Sequence, residues 1–407
     1  MTISAPDDEF GPLPWLTDWI TRHEADLIDV RRTLHAQPEL SFAEHMTTAL
    51  LVNRLATAGL RPRVLPEGTG VVVDIGDGPR SVALRADLDA LPIQDLKDVP
   101  YRSTVDGASH ACGHDVHTTI GLGAALALAE HAAVPPAHDG APRFPGRVRV
   151  IFQPAEELLP GGALRVIEAG ELDGIEHLFA LHCDPRIDVG QVGVRLGALT
   201  AACDSIEVAV TGPGGHTARP HLTVDIVDVL ARIAVETPHL FSRRVDARAR
   251  ASLVWGVIQA GSAANAIPRS GQLRGTVRVL NRDVWAEAEA LIPSLIESVA
   301  ATSGATVDVR YVRGVPPVVN DAESVRFLQG AVSSQVGADA AVPTATSMGG
   351  EDFAWYGEHV PLAMGRLGVR APSGPVYDLH QGTFDVDERA IGIGIRTLVG
   401  AALAALH

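Results

Sequence analysis

From Trp15 onward, apolar residues recur at helical spacing. Trp15, Trp19, Leu27, Val30 and Leu34 share one face until Pro38 interrupts it, and this period predicts a first helix. Short apolar runs then alternate with helical stretches. GVVVDIG (70–76), SVALRAD (81–87), RVRVIFQP (147–154) and HLFALHCDP (177–185) read as strands, with TTIGLGAALALAEHAA and GGALRVIEAG as helices among them. Strands this rich in Val, Ile and Leu, alternating with helices, predict an α/β domain with a mainly parallel sheet covered on both faces.

The rhythm changes near Ala198. SIEVAVTG, VDIVDVLARIAVETPHLF, ASLVWGVIQAG, GQLRGTVRVL, RDVWAEAEALIPSLIESVA and TVDVRYV follow in the order strand, helix, strand, strand, helix, strand. That β-α-β-β-α-β order predicts a ferredoxin-like unit with one open sheet face. It would occupy residues 198–316 as an insertion in a catalytic α/β domain formed by 1–197 and 317–407. Beyond Pro317 the alternation resumes, and the chain ends in the helical DERAIGIGIRTLVGAALAALH. HDGAPRFPG (138–146) reads as a surface loop.

Composition narrows the function. With 407 residues, 46% of them hydrophobic, the chain exceeds what one core usually supports, which favours two domains. The balance of 33 basic against 49 acidic residues gives −16, which repels phosphate backbones and anionic lipid and so argues against nucleic-acid and membrane partners. The first residues lack the basic and apolar regions of a secretory signal, and no later run approaches the ~18 uninterrupted apolar residues of a membrane span. A cytoplasmic protein is expected. Cys112, Cys183 and Cys203 are too few and odd in number for a disulfide framework, so reduced thiols are expected.

Candidate chemistry gathers in HACGHDVHTT, which holds His110, Cys112, His114 and His117. Thiolate and imidazole make a soft, borderline ligand pair for Zn or a similar divalent ion, and a helix N-terminus just after Cys112 would favour the thiolate. A buried cysteine beside helix-capping residues fits the same letters. In QPAEE, the adjacent Glu156 and Glu157 suit two jobs: one carboxylate binds metal while the other takes a proton from water. Two exposed glutamates in a first helical turn would look alike. Asp87, Glu156, Glu157 and His182 all fall at the carboxyl ends of expected strands, where open α/β sheets gather ligands. Asp87 suits either a carboxylate that orients a ligand or a structural cap, and His380 lies in the returning C-terminal segment. GPGGHTARPH exposes His216 on a glycine-rich loop, where an imidazole can donate to an oxyanion. No GxxxxGK[ST] phosphate loop and no GxSxG nucleophile string occur, which argues against nucleotide and serine-hydrolase chemistry.

RADLDALP, HACGHDVHT, QPAEE, LH at 181–182, GGHTARPH, NAIP, GTVR, GEDF and LHQGTFDVDE occur in this order over almost the whole chain. The set resembles the metal-dependent aminoacylase and carboxypeptidase superfamily, and within it the amidohydrolase branch of hippurate and auxin-conjugate hydrolases. The resemblance implies two divalent ions per subunit held by Cys112, His114, Glu157, His182 and His380, with Glu156 as general base; ligand softness and availability favour Zn or Mn. It implies that residues 198–316 act as a lid through which subunits pair, that His216 reaches the partner's site, and that Asn265 and Arg278 hold the substrate's polar end. Other branches carry a ligand histidine where this chain has Arg85, and the Cys-Gly-His unit looks like its substitute. The expected reaction is hydrolysis of the amide bond of an N-acyl amino acid or similar small conjugate. A dipeptidase or cell-wall-precursor deacylase on the same scaffold is the near rival. A non-catalytic small-molecule binding protein is the distant one, and the intact Glu156 beside five ligand candidates argues against it.

Overall fold

The structure, a computed structural model, describes residues 11–134 and 144–407, so positions 138–143 of the expected loop lie outside the described residues. The chain forms two compact units. One gathers the described residues up to Gly197 with Val319–Ala345 and Trp355–His407, and the other comprises Ala198–Val318 with Thr346–Ala354. The short stretch 346–354 therefore clusters with the second unit, although it lies within the returning C-terminal segment.

In the first unit, the predicted helix spans Pro14–Ala36 and buries Leu16, Trp19, Leu27, Val30 and Leu34. It starts at Pro14, whose fixed φ suits the first helical position. The unit's sheet has eight strands in the order Arg63–Val64, Val71–Ile75, Arg147–Gln153, Ser81–Asp87, His177–Asp188, Leu362–Arg370, Val192–Val194 and Ala341–Pro343. Its four central strands, from Arg147–Gln153 to Leu362–Arg370, run parallel, whereas Val71–Ile75 and Val192–Val194 pair antiparallel on either side of them. The sheet is thus mixed rather than uniformly parallel. The cause lies in chain length: only residues 76–80 join Val71–Ile75 to Ser81–Asp87, too few for the crossover that parallel strands require.

Ser81–Asp87 is buried at every position, as expected of a strand covered on both faces. Against it packs a core in which Val82, Leu84, Phe152 and Phe179 meet Ile120 and Leu398. Two helices, His114–Ala133 and Arg389–Leu406, cross at reciprocal glycines. A Cβ on Gly123 would lie 2.4 Å from Ile395 Cδ1, and one on Gly394 2.3 Å from Ile120 Cδ1, so each glycine makes room for the other helix's isoleucine. Among the described residues, Arg389–Leu406 is the one helix long and apolar enough to cross a membrane, and 78% of it is buried inside the protein.

The second unit follows the order strand, helix, strand, strand, helix, strand. Its sheet runs Ser252–Ala260, Ser270–Val279, Ala202–Thr211, Thr306–Val315, with every pair antiparallel. In Ala202–Thr211 the inward Ile206, Val208 and Val210 alternate with the exposed Ser205, Glu207, Ala209 and Thr211, the period of a sheet with one face covered. Helices Ile226–Arg244 and Arg282–Ala300 are capped by Asp225 and Asn281, whose side chains accept first-turn N–H groups.

Candidate metal centre

The first unit's candidate residues assemble beyond one edge of its parallel strands. Ser81–Asp87 pairs with His177–Asp188 only as far as Arg85 opposite Ala180, two residues short of Asp87 and His182. The strand carrying His182 does not end there, as the sequence suggested, but runs on to Asp188. Its other neighbour continues the ladder, with Arg366 opposite His182 and a bulge between Gly368 and Arg370. Pro185 is accommodated at this irregular stretch, where a strand tolerates the missing N–H.

Cys112 precedes the helix His114–Ala133, whose N-cap is Gly113 with φ 88°. A side chain there would be strained in the left-handed region, and its Cβ would lie 2.7 Å from Cys183 Sγ. The bend turns Cys112 and His114 toward the same space. His114 Nδ1 donates to the backbone oxygen of Asp89 at 2.9 Å, which leaves Nε2 facing the cluster. That Nε2 is buried without a hydrogen-bond partner. His182 Nδ1 likewise donates to the Cys183 carbonyl at 2.8 Å, and its Nε2 lies 3.5 Å from Cys112 Sγ. Both rings are therefore locked with the same nitrogen free for a ligand role.

The glutamates complete the cluster. Glu157 Oε1, itself buried and without a hydrogen-bond partner, stands 3.8 Å from His114 Nε2 and 3.4 Å from His380 Nε2. Glu156 Oε2 lies 3.9 Å from the same His114 nitrogen. Neither glutamate is in a helix: the chain passes from the strand Arg147–Gln153 through Ala155, at φ 53°, into a bend. His380 is half-exposed, has φ 59°, and receives its place from a backbone N–H to the Ala111 carbonyl at 2.9 Å.

Burial and neighbouring charge shift the cluster's titratable groups. Burial, reinforced by Glu157, Glu156 and Asp87, pushes the Cys112 thiol well above its ordinary range. Burial would depress His114, but Asp87, Asp89 and Glu157 outweigh it and push the imidazole up to about 10. Burial holds His182 well below its usual value, helped by Arg366. Potential ligand atoms of one thiol, two histidines and a carboxylate thus converge in a buried space crowded with carboxylates, and two of them, His114 Nε2 and Glu157 Oε1, have no hydrogen-bond partner. Sulfur, imidazole and carboxylate around orphaned polar atoms are a donor set that fits divalent cations.

Asp87 sits behind this space. Its Oδ2 takes Arg85 Nη1 at 2.5 Å and its Oδ1 faces His117 Nδ1 at 2.6 Å. His117 Nε2 in turn accepts the Cys183 N–H at 2.8 Å, so His117 is a bridge whose ring nitrogens are both engaged. Arg85, the departure from other branches, also donates to Gln153 Oε1 at 2.9 Å. His110 is buried with both ring nitrogens unpartnered, and burial pushes it down to about 4.

Asp89, Arg31 and His35 escaped sequence reasoning. The carboxylate that holds the His114 ring is Asp89, and its only signal was its alternation with Asp87 in RADLDALP. Asp115, next to His114, accepts from Arg31 Nε at 2.8 Å and from His35 Nδ1 at 2.7 Å. Nothing local marked Arg31 and His35 beyond their place on one helix.

In the second unit, His216 and Asn265 come together. His216 pairs with Ala266 in a two-stranded ribbon, and the Asn265 carbonyl accepts the Thr217 N–H at 3.3 Å. His216 is exposed, and its Nδ1 accepts the Ala218 N–H at 3.0 Å. Arg278 is not beside them. The strand Ser270–Val279 enters beside Thr211 at Ser270, and Arg278 stands eight residues further on, opposite Cys203, roughly 26 Å of strand away. Its guanidinium donates to the Met348 carbonyl at 2.8 Å.

A buried cluster of sulfur, imidazole and carboxylate beyond the central parallel strands is the donor set of a metal-dependent hydrolase that acts on amides. The description "Peptidase family M20/M25/M40" matches residues 83–404, and the chain belongs to that family. It is 38% identical over 374 residues to an N-acetyl-L-cysteine deacetylase of Bacillus subtilis strain 168, covering 90% of this chain and 85% of that one. A putative glutamate–cysteine ligase 2-3 of Rhodococcus jostii RHA1 is 47% identical over 377 residues, 92% of this chain but 46% of that protein, so the chain spans about half its length. Among solved structures, a dinuclear metal-binding peptidase of the M20 family from Bacillus subtilis superposes with a TM-score of 0.80 at 31% identity, covering 96% of this chain and 99% of that one.

Proposed function

We propose that the protein hydrolyses the amide bond of N-acyl amino acids or similar small conjugates. The observation that carries this reading is the convergence of Cys112, His114, Glu157, His182 and His380 with a second carboxylate, Glu156, within 3.9 Å of the His114 nitrogen. Those five residues would hold two divalent ions, Zn or Mn by donor softness and availability. Bound there, the ions would supply polarisation of the amide carbonyl and a nucleophilic water at neutral pH. Glu156 takes a proton from the attacking water and passes it to the departing amine. Asp87, held by Arg85 and His117, keeps the wall behind the ligands fixed rather than reacting. The Bacillus subtilis N-acetyl-L-cysteine deacetylase supports the substrate class.

Residues 1–197 and 317–407 form the catalytic domain in this reading, and 198–316 a ferredoxin-like lid and dimerisation domain, supported by its β-α-β-β-α-β order. The edge strand Ser252–Ala260 exposes Val254 and Ile258 by 60% and 58%, an apolar edge suited to a second copy of the chain. At a cytoplasmic address, His216 is the oxyanion donor, and Asn265 beside it binds the substrate's polar end, while Arg278, at the far end of its strand, is left out of that role. The test is a hydrolysis screen after reconstitution with Zn or Mn, comparing N-acyl amino acids with dipeptides of the same side chains. Preferential release of the free amino acid from acyl substrates supports the proposal. Cleavage of dipeptides alone would replace it with a peptidase.

A further inference from the structure

Glu156 and Glu157 are chain neighbours with different tasks, and successive side chains in an extended segment point to opposite sides. Something must hold the backbone of this bend so that both carboxylates reach the neighbourhood of His114 Nε2, at 3.9 and 3.8 Å. The holder is visible in the hydrogen bonds of Asp89. Its Oδ1 accepts the Glu156 N–H and its Oδ2 the Glu157 N–H, each at 3.0 Å. Its own backbone oxygen accepts His114 Nδ1–H at 2.9 Å, with Oδ1 3.3 Å from the same nitrogen. Ser41 Oγ donates to Oδ2 at 2.7 Å, and Asp89 is 1% exposed. One residue away, the buried Glu44 takes the Ala155 N–H at 2.8 Å, so three successive N–H groups form a concave nest that grips two carboxylates.

We infer that Asp89 is a positioning residue that sets the general base and two ligands at once: Glu156 and Glu157 through their backbone N–H groups, and His114 through its ring. It touches no substrate atom. Both of its carboxylate oxygens accept N–H groups, so its isostere cannot replace it. In Asp89→Asn the amide keeps one acceptor and turns an N–H₂ donor toward the other backbone N–H, which tips the bend and moves either Glu156 or Glu157. Outer partners of this kind are worth about 10–100-fold in metal affinity or activity.

The inference rests on the proposed roles of Glu156, Glu157 and His114, and the experiment separates the two. Metal-free wild type, Asp89→Asn, Ser41→Ala and Glu156→Gln are titrated with Zn or Mn by calorimetry. The reconstituted forms are then assayed for kcat and KM on an N-acyl amino acid, with circular dichroism to verify folding. Asp89→Asn is expected to bind metal at least 10-fold more weakly and to lose at least 10-fold in kcat at saturating metal, with KM within about threefold. Ser41→Ala, which leaves one oxygen of Asp89 less constrained and carries little risk to folding, is expected to weaken metal binding severalfold. A folded Asp89→Asn with a lowered melting temperature but unchanged metal affinity and kcat would overturn the inference. Should Asp89→Asn fail to fold, wild-type metal affinity in Ser41→Ala would overturn it instead. Near-wild-type turnover in Glu156→Gln would strike the underlying reading alone.

Discussion

At the scale of single residues, the site depends on a few backbone positions that have no alternative. Gly113 combines φ 88° with a Cβ position 2.7 Å from Cys183 Sγ. Gly113→Ala is expected to cost about 1–2 kcal/mol from the left-handed backbone alone and to release metal, because the bend aims both Cys112 and His114. Calorimetric melting with elemental analysis of the purified variant checks both effects. The letters exposed much of this cluster, since Cys112, His114, Glu156, Glu157, His182 and His380 are chemically conspicuous types. They did not expose Asp89, Arg31 and His35, whose roles arise only when segments distant in sequence meet. His35 reaches Asp115 across 80 positions, and no local spacing announces such a bond. Arg278 was conspicuous, yet it lies at the far end of its strand from His216, a separation set by strand register rather than composition.

Among elements, periodicity carried the reading well where a helix or strand was long. The helix Pro14–Ala36 and the strands Ser81–Asp87 and Arg147–Gln153 lie where their apolar patterns put them. The antiparallel flanks of the sheet were not legible, because direction depends on connection length and on which neighbour a strand finds. The strand carrying His182 was expected to finish there, but pairing with Leu362–Arg370 carries it onward. The site helix His114–Ala133 is seated by its crossing with Arg389–Leu406 at Gly123 and Gly394. In Gly394→Val the added methyls would occupy the volume of Ile120 Cδ1, only 2.3 Å from the Cβ position. Overpacking of this kind costs about 1–3 kcal/mol, and a lowered midpoint in urea unfolding is the expected result.

For the molecule as a whole, the change of rhythm near Ala198 located the second unit. The stretch 346–354 was not separable, because it has no periodic pattern of its own. Acid should weaken the first unit through His177, well away from the cluster. This ring is buried against Phe327 and bonded to Ser324 Oγ at 2.9 Å, and burial lowers its pKa below the ordinary 6.5. The unfolded chain therefore takes up a proton first as pH falls. Stability from this group is fully present above 6.5 and is lost as pH drops through the folded value, and the slope reverses nothing above neutrality. Urea midpoints of wild type should fall more steeply than those of His177→Gln between neutral and mildly acidic pH, and parallel curves would refute the assignment. The most direct test of the central claim is a paired measurement on Glu156→Gln: divalent ions per chain by elemental analysis, and turnover of an N-acyl amino acid. Two ions retained per chain with turnover down by roughly 10²–10⁴ is the expected result. Unchanged turnover, or metal lost together with activity, would contradict a site in which five residues hold the ions and Glu156 moves the proton.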